Sequence, residues 1–110
     1  MGGGIMHNEI NFKYQEGRLS IHSDKSTGSN FWLYPPLCLT HKELQILYCI
    51  LQGKSVNDIA EYRNRSSKTI WGQKKHIYLK LGIQSDVTIY RDLMQKGIIL
   101  FEKQKQITIG

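Results

Sequence analysis

The stretch that decides the fold is residues 57–83, which read NDIAEYRNRSSKTIWGQKKHIYLKLGI. Its pattern predicts a short helix, a tight turn and a second, longer helix. From Tyr62 through Lys80 the stretch has no acidic residue and six basic ones. These are Arg63, Arg65, Lys68, Lys74, Lys75 and Lys80. The whole chain has 110 residues and a net charge of +6, so the pattern indicates an anionic partner, either a nucleic acid or an anionic membrane surface.

Capping signals bound the two helices of this stretch. Ser55 with Asp58 predicts the start of the short helix, and Ser66 predicts the start of the longer one. Asn64 is placed in the turn because asparagine tolerates left-handed backbone geometry. Gly82 is expected to end the longer helix. Two helices joined by a short turn are typical of a helix-turn-helix.

The longer helix has two different faces. At roughly 100° per residue, one face is apolar and is predicted to point into the core. It consists of Ile70, Ile77 and Leu81. The opposite face contains groups that suit duplex DNA, since lysine donates to guanine, glutamine pairs with adenine and an aromatic ring contacts a thymine methyl group. It consists of Lys68, Trp71, Gly72 and Lys75, with Gln73 and Lys74 beside them. Because the apolar face is needed for the core, binding to a membrane surface is disfavoured.

Two further helices are predicted on either side. Thr40 with Glu43 forms a capping box before an apolar stripe, and Gly53 ends that first helix. Ser85 and Asp86 are expected to open a fourth helix that closes at residues 96–97. The apolar residues assigned to this fourth helix are Val87, Ile89, Tyr90, Leu93 and Met94.

The two ends of the chain follow a strand-like pattern. Apolar and polar residues alternate over 10–14 and again over 19–21, which predicts a small hairpin. A third strand is predicted at 31–34, and a final strand pair at 98–101 and 106–109. Whether the glycines at positions 2–4 are native is left open by the sequence.

The predicted fold is mainly α, with three parts. Residues 1–37 form an N-terminal segment that contains the β-hairpin. Residues 38–97 form a four-helix helix-turn-helix domain, and residues 98–110 form a C-terminal extension with β character.

Other classes of site have little support. Cys38 and His41 have C-x-x-H spacing, but without a second ligand pair this spacing does not predict a metal site. The histidines lack a recognisable nucleophile or acid–base arrangement, so neither an enzyme nor a cofactor is predicted. No apolar run approaches the ~18 residues of a membrane span, and the N-terminus lacks a secretory signal pattern. A cytoplasmic, nucleoid-associated protein is expected.

Several short motifs carry a resemblance to a known family. They are Leu39-Thr40-His41-Lys42-Glu43, Gly53-Lys54-Ser55, Ile59-Ala60, Ser66-x-Lys68-Thr69-Ile70 and Lys80-Leu81-Gly82-Ile83. With these motifs, residues 39–97 resemble the DNA-binding domain of LuxR-type bacterial transcription regulators. Within that family, Arg65-Ser66-x-Lys68-Thr69-Ile70 followed by Gln73-Lys74-Lys75 most resembles the Rcs-type branch of capsule-synthesis regulators. The resemblance implies that the third helix enters the major groove and that the fourth mediates dimerisation.

The resemblance also implies a set of site residues. The DNA-binding residues by position are Lys54, Arg65, Lys68, Thr69, Trp71, Gly72, Gln73, Lys74 and Lys75. Among these, Lys68 and Thr69 hold phosphates, whereas Trp71, Gly72 and Lys75 lie nearest the bases. The candidates for a dimer contact, weighed against a role in the core, are Ile89, Tyr90 and Leu93.

The chain departs from the family pattern at three positions. Arg63 stands where the family usually has Leu, Arg65 where it often has Ile or Val, and Gln73 where most relatives have His. Cationic residues at apolar turn positions either weaken the packing of the turn or contact phosphate. Relatives also usually carry a receiver or ligand-binding domain, which residues 1–37 are too short to form. The chain is therefore expected to be a fragment or a regulator without its own sensor.

Two functions are predicted from these observations. The first is a sequence-specific regulator of transcription that binds double-stranded DNA as a dimer and contacts RNA polymerase. The alternative is a protein-interaction module that forms a heterodimer with another regulator and modulates it, with weak DNA binding of its own. A sigma-factor-like promoter element shares the helix-turn-helix but not the ending at residues 80–82.

Overall fold

The computed structural model describes residues 14–15, 17–22 and 30–101. The predicted strand at 106–109, most of the first hairpin strand and the glycines at 2–4 lie outside these residues. The elements in chain order are β1 Tyr14–Gln15, β2 Arg18–His22, β3 Asn30–Leu33, α1 His41–Leu51, α2 Val56–Arg63, α3 Ser67–Leu81, α4 Ile89–Gln95 and β4 Ile99–Phe101.

The predicted caps of α1 and α2 are confirmed. The hydroxyl oxygen of Thr40 accepts a hydrogen bond from the Glu43 amide at 3.1 Å, and the Thr40 amide donates to the Glu43 carboxylate at 2.9 Å. Ser55 and Asp58 make the same two bonds, at 3.0 and 3.1 Å. Each reciprocal pair satisfies backbone amides that a helix start leaves without a partner.

The turn between α2 and α3 also has its predicted geometry. Asn64 is left-handed, with φ 57° and ψ 47°, and the next amide, that of Arg65, donates to the Ala60 carbonyl at 2.8 Å. Ser66 then caps α3 by accepting from the Thr69 amide at 3.1 Å. These local bonds fix the angle at which α3 leaves α2.

The predicted start of α4 is wrong. The helix begins at Ile89 rather than at Ser85 or Asp86, because residues 86–88 form a turn in which the Thr88 amide donates to the Ser85 hydroxyl at 3.2 Å. Asp86 faces α3 instead of capping α4. Val87, assigned to the apolar face of this helix, lies in the turn and is almost fully exposed.

One apolar core joins the helices and the sheet. The predicted inner face of α3 is confirmed, since all three of its residues are buried, and the thiol of Cys49 is buried as expected. Burial raises the pKa of that thiol. The largest fully buried side chains are Leu19, Ile21, Phe31, Leu33, Ile46, Leu47, Leu51, Ile59, Ile70, Ile77, Leu93 and Ile99. Within the described part of the chain, no helix combines the length and apolar character that a membrane crossing requires.

The strands form one antiparallel sheet in the order β1-β2-β3-β4. The third predicted strand therefore pairs with the C-terminal one, which leaves β1 and β4 at opposite edges of the sheet. In this register Phe31 lies opposite Phe101, and Trp32 opposite Leu100. Because successive side chains point to opposite faces, the buried members share the inner face. These are Leu19, Ile21, Phe31, Leu33 and Ile99.

The inner face of the sheet packs on α1 and α4. The ring of Phe31 lies 5.8 Å from the ring of Tyr90 in an edge-to-face arrangement and 5.2 Å from the ring of Phe101. The hydroxyl of Tyr48 on α1 donates to the Ser20 carbonyl at 3.3 Å. Aromatic packing on α4 and a hydrogen bond from α1 thus join the sheet to the helices.

Candidate nucleic-acid interface

The outward face of α3 is accessible along its first half. Lys68, Thr69, Trp71 and Lys75 are exposed, as is Gly72. Trp71 is 49% exposed, so about half of its side chain is accessible to a ligand. The structure therefore brings together, on one surface, five of the residues predicted to bind DNA; Gln73 lies beside them, half-buried.

Gly72 lies open in the middle of this surface. A methyl group placed on its Cα would meet no atom within 4 Å, the backbone of its own helix aside. Packing of the chain against itself therefore does not require glycine here, although glycine costs roughly 1 kcal/mol in a helix interior relative to alanine. A close approach by a ligand would explain the residue.

Lys75 and Lys74 have different environments although they are adjacent. The Lys75 side chain is exposed, with its Nζ 6.0 Å from the centre of the Trp71 ring. The Lys74 side chain is only 13% exposed, and its Nζ lies 3.0 Å from a carboxylate oxygen of Asp86. Lys74 was predicted to bind DNA, and its ammonium group already has an intramolecular partner.

Lys80 is also paired. Its Nζ donates to the Glu43 carboxylate at 2.8 Å and to the Cys38 carbonyl at 3.0 Å. The hydrogen bond from Lys80, followed by that from the Thr40 amide, lowers the pKa of Glu43. Acidic residues from outside the acid-free stretch thus neutralise two of its six basic side chains, and the remaining positive charge is concentrated near the start of α3.

Comparison with known proteins places this domain in a family. The family described as bacterial regulatory proteins, luxR family, matches residues 37–93. The chain belongs to this family. Its helix-turn-helix is that of the bacterial regulators, as the resemblance implied.

Three relatives of this luxR-family chain come from Escherichia coli strain K12. The cyclic di-GMP phosphodiesterase PdeL is 48% identical over 66 residues, which cover 60% of this chain and 18% of PdeL. The HTH-type transcriptional regulator YuaB is 45% identical over 58 residues, covering 53% of this chain and 16% of YuaB. The transcriptional regulatory protein RcsB is 41% identical over 51 residues, which cover 46% of this chain and 24% of RcsB. This chain therefore spans less than a quarter of each relative's length, and no solved structure matches it.

Arg63, one of the departures from the luxR-family pattern, has an internal role in the structure. Its half-buried guanidinium donates to the side-chain oxygen of Gln45 on α1, at 2.5 Å. Gln45 is itself buried, and its amide nitrogen lies 3.2 Å from a ring nitrogen of His41. Arg63 therefore links α2 to α1, a role that neither of the two sequence-based alternatives included. A polar residue beside the apolar stripe of α1, at position 45, was the available signal for it.

Arg65 and Lys54 flank the same two-helix unit. Arg65 is exposed in the turn immediately before the α3 cap. Lys54 is exposed just before the cap of α2, and its backbone amide donates to the Cys49 carbonyl at 3.1 Å. Their contribution to DNA binding remains a prediction.

The residues suggested for a luxR-type dimer contact lie in the core of a single chain. Ile89 and Leu93 are buried, at 3% and 0% exposure. The hydroxyl of Tyr90 donates to the Leu51 carbonyl at 2.9 Å, and its ring packs against Phe31. The sheet thus covers the side of α4 that carries these side chains. Their position agrees with the core role that the sequence analysis weighed against a dimer contact. The exposed residues of α4 are Arg91, Met94 and Gln95.

Proposed function

We propose that this domain is the sequence-specific DNA-binding unit of a transcription regulator, which inserts α3 into the major groove of double-stranded DNA and acts as a dimer on paired half-sites. The observation that carries the proposal is the outward face of α3, where exposed cations flank an open glycine and an accessible indole. Such a regulator acts in the bacterial cytoplasm, on nucleoid DNA and alongside RNA polymerase. The exposed side of α4, rather than its core residues, is the surface proposed for the dimer.

Physical chemistry assigns different tasks to the residues of this face. Lys68 and Thr69 lie in the first turn of α3, where free backbone amides and the helix dipole favour a phosphate. Trp71, Gly72 and Lys75 lie further along the helix, where side chains reach base edges in the major groove. Phosphate contacts orient the helix, whereas base contacts discriminate between sequences.

Selection of bound duplexes from a random pool tests the proposal directly. We expect one enriched half-site motif and, for the selected duplex, a log–log slope of affinity against salt on the order of −4 to −6 for a dimer. The slope follows from release of counterions by Lys and Arg at phosphates. No enriched motif, or an affinity that stays constant between roughly 50 and 200 mM salt, would contradict the proposal.

Gly72→Ala separates stability from binding. Because a methyl group at this position meets open space, we expect alanine to raise the free energy of unfolding by roughly 0.5–1 kcal/mol through its higher helix propensity. On DNA the same methyl group would hold the backbone away from the groove, so affinity for the selected duplex should fall about tenfold. Urea unfolding and fluorescence anisotropy measure the two effects. A more stable variant with unchanged affinity would show that the glycine has no role in binding DNA.

A second candidate function is favoured by the pairing of Lys74 and Lys80. Each is neutralised by an acidic residue, which leaves fewer cations for phosphate than the sequence indicates. Weak DNA binding alone, recovered on mixing with another regulator, is the behaviour of a heterodimerising module. The phosphodiesterase activity in PdeL's name belongs to a protein of which this chain matches 18%, and neither candidate function is catalytic.

A further inference from the structure

Four side chains form a closed cluster at the edge of the α3 surface. The Nζ of Lys74 lies 5.5 Å from the ring centres of both Trp71 and Tyr78 and 3.0 Å from a carboxylate oxygen of Asp86. The hydroxyl of Tyr78 donates to that same oxygen at 2.7 Å. Two of the four residues, Trp71 and Lys74, were predicted to bind DNA, whereas Asp86 comes from the connection between α3 and α4.

We infer that Lys74 is a positioning residue that holds the Trp71 indole on the DNA-facing surface, and that Asp86 and Tyr78 keep Lys74 in place. The inference rests on the proposed function and assigns Trp71 and Lys74 separate tasks within it. Trp71 is the group that meets the DNA. Lys74 supports the ring from the side and does not contact a phosphate.

The contacts of Lys74 support this assignment. An ammonium group close to an aromatic ring is attracted by the negative face of the ring, and here two rings lie at equal distance from it. To reach a phosphate the side chain would have to leave both rings and its carboxylate partner. The low exposure of Lys74, set against the high exposure of Lys75 on the same helix, agrees with a support role.

The charge of Asp86 gives the cluster a second consequence. Its side chain is 65% exposed beside a surface that is proposed to meet phosphates, and an unpaired carboxylate there would repel DNA. The hydrogen bonds from Tyr78 and Lys74 lower the pKa of Asp86, so it is ionised at neutral pH and forms a neutral pair with Lys74. The cluster therefore orders an aromatic ring at the interface without adding net charge, which favours discrimination over non-specific affinity.

Quenching of Trp71 fluorescence by acrylamide tests the positioning without DNA. The chain has 2 tryptophans, so Trp32→Phe leaves Trp71 as the single reporter. In this background we expect Lys74→Ala to raise the quenching constant about twofold because the indole loses its support. Lys74→Arg, which retains a cation of similar reach, should restore most of the protection. An unchanged quenching constant in Lys74→Ala overturns the inference, whether or not the chain binds DNA.

Binding to selected and random duplexes tests the role at the interface. We expect Lys74→Ala to lose about tenfold more affinity for the selected duplex than for random duplex, on which only the charge of the now unpaired Asp86 acts, with a salt slope changed no more than in Lys96→Ala. Lys96→Ala is the matched control because it removes the same charge from a residue that follows the end of α4. Equal losses on both duplexes, with a salt slope smaller by about 0.9 for each protomer and so about 1.8 for the dimer, would make Lys74 a phosphate ligand and overturn the inference.

Asp86→Asn gives an independent route if Lys74→Ala fails to fold. It retains the shape of the side chain and removes the charge that anchors Lys74, so Trp71 quenching should rise and the ratio of selected to random affinity should fall. Affinity for random duplex should rise, since a negative charge has been removed. An unchanged ratio together with unchanged quenching would again contradict the inference. If wild type binds no duplex, the proposed function fails, and the quenching comparison still decides the role of Lys74.

Discussion

Phe31→Ala is expected to lower the free energy of unfolding by about 3–5 kcal/mol. Phe31 is 2% exposed and its ring contacts Tyr90 from α4 and Phe101 from β4, so alanine would leave a cavity between the sheet and the helices. A single domain typically has roughly 5–15 kcal/mol of stability in total, so the loss is a large part of it. Urea unfolding followed by the helical circular dichroism signal measures the effect.

Leu100→Ala is the matched control. Leu100 neighbours Phe101 on the same strand but points to the outer face, opposite Trp32, and is 54% exposed. Its truncation should cost less than about 1 kcal/mol, because little apolar area is lost. The urea midpoint of the helical signal could instead be the same in Phe31→Ala and in Leu100→Ala. In that case the sheet and the helices would be independent folding units.

The outcome bears on where the folding unit ends. The family match covers residues 37–93, and both Phe31 and Phe101 lie outside it. Their rings nevertheless pack on Tyr90, which lies inside it. We therefore propose that the sheet and the four helices unfold together, although the sequence divides the chain into three parts at 37 and 97. Co-operative loss of both in Phe31→Ala would support a single unit.

The helices could be predicted from sequence because their signals are local. The capping pairs at α1 and α2 and the left-handed Asn64 each depend on residues within about four positions of one another along the chain, and the buried face of α3 follows the helical period within one element. Local pairs of this kind have the same geometry in many folds. The wrong start of α4 also has a local origin. Ser85 makes reciprocal hydrogen bonds with Thr88, at 3.1 and 3.2 Å, but these close a turn that precedes the helix, and Asp86 contacts α3.

Contacts between residues distant in sequence could not be predicted in the same way. The pairing of β3 with β4 joins residues near 31 to residues near 101, and no periodicity encodes that choice of partner. Lys80 finds Glu43 only when α1 and α3 pack, and Arg63 finds Gln45 only when α1 and α2 pack. The charge count of the basic stretch was therefore right, but the number of cations available to a ligand was overstated.

Lys75→Ala is expected to reduce affinity for the selected duplex by about ten- to a hundredfold, in line with roughly 1–3 kcal/mol for one base contact. Lys75 is exposed on the α3 surface beside Gly72 and Trp71, where a lysine can donate to guanine O6 and N7. Affinity for random duplex should fall much less, because a base contact adds little to non-specific binding. Anisotropy titrations with both duplexes, at one fixed salt concentration, measure the two losses.

Lys68→Ala is the matched comparison, since it removes the same charge about two turns earlier on α3. A lysine in the first turn of the helix is placed to meet phosphate, so affinity for selected and random duplexes should fall by equal factors. The salt slope should be smaller by about 0.9 for each protomer and so about 1.8 for the dimer. Equal factors for Lys75→Ala as well would mean that the α3 surface holds DNA only by its charge. In that case discrimination between DNA sequences would have to come from a partner, and the heterodimerising module would become the better account of this chain. A larger loss for the selected duplex than for the random duplex in Lys75→Ala would instead assign sequence recognition to α3 itself.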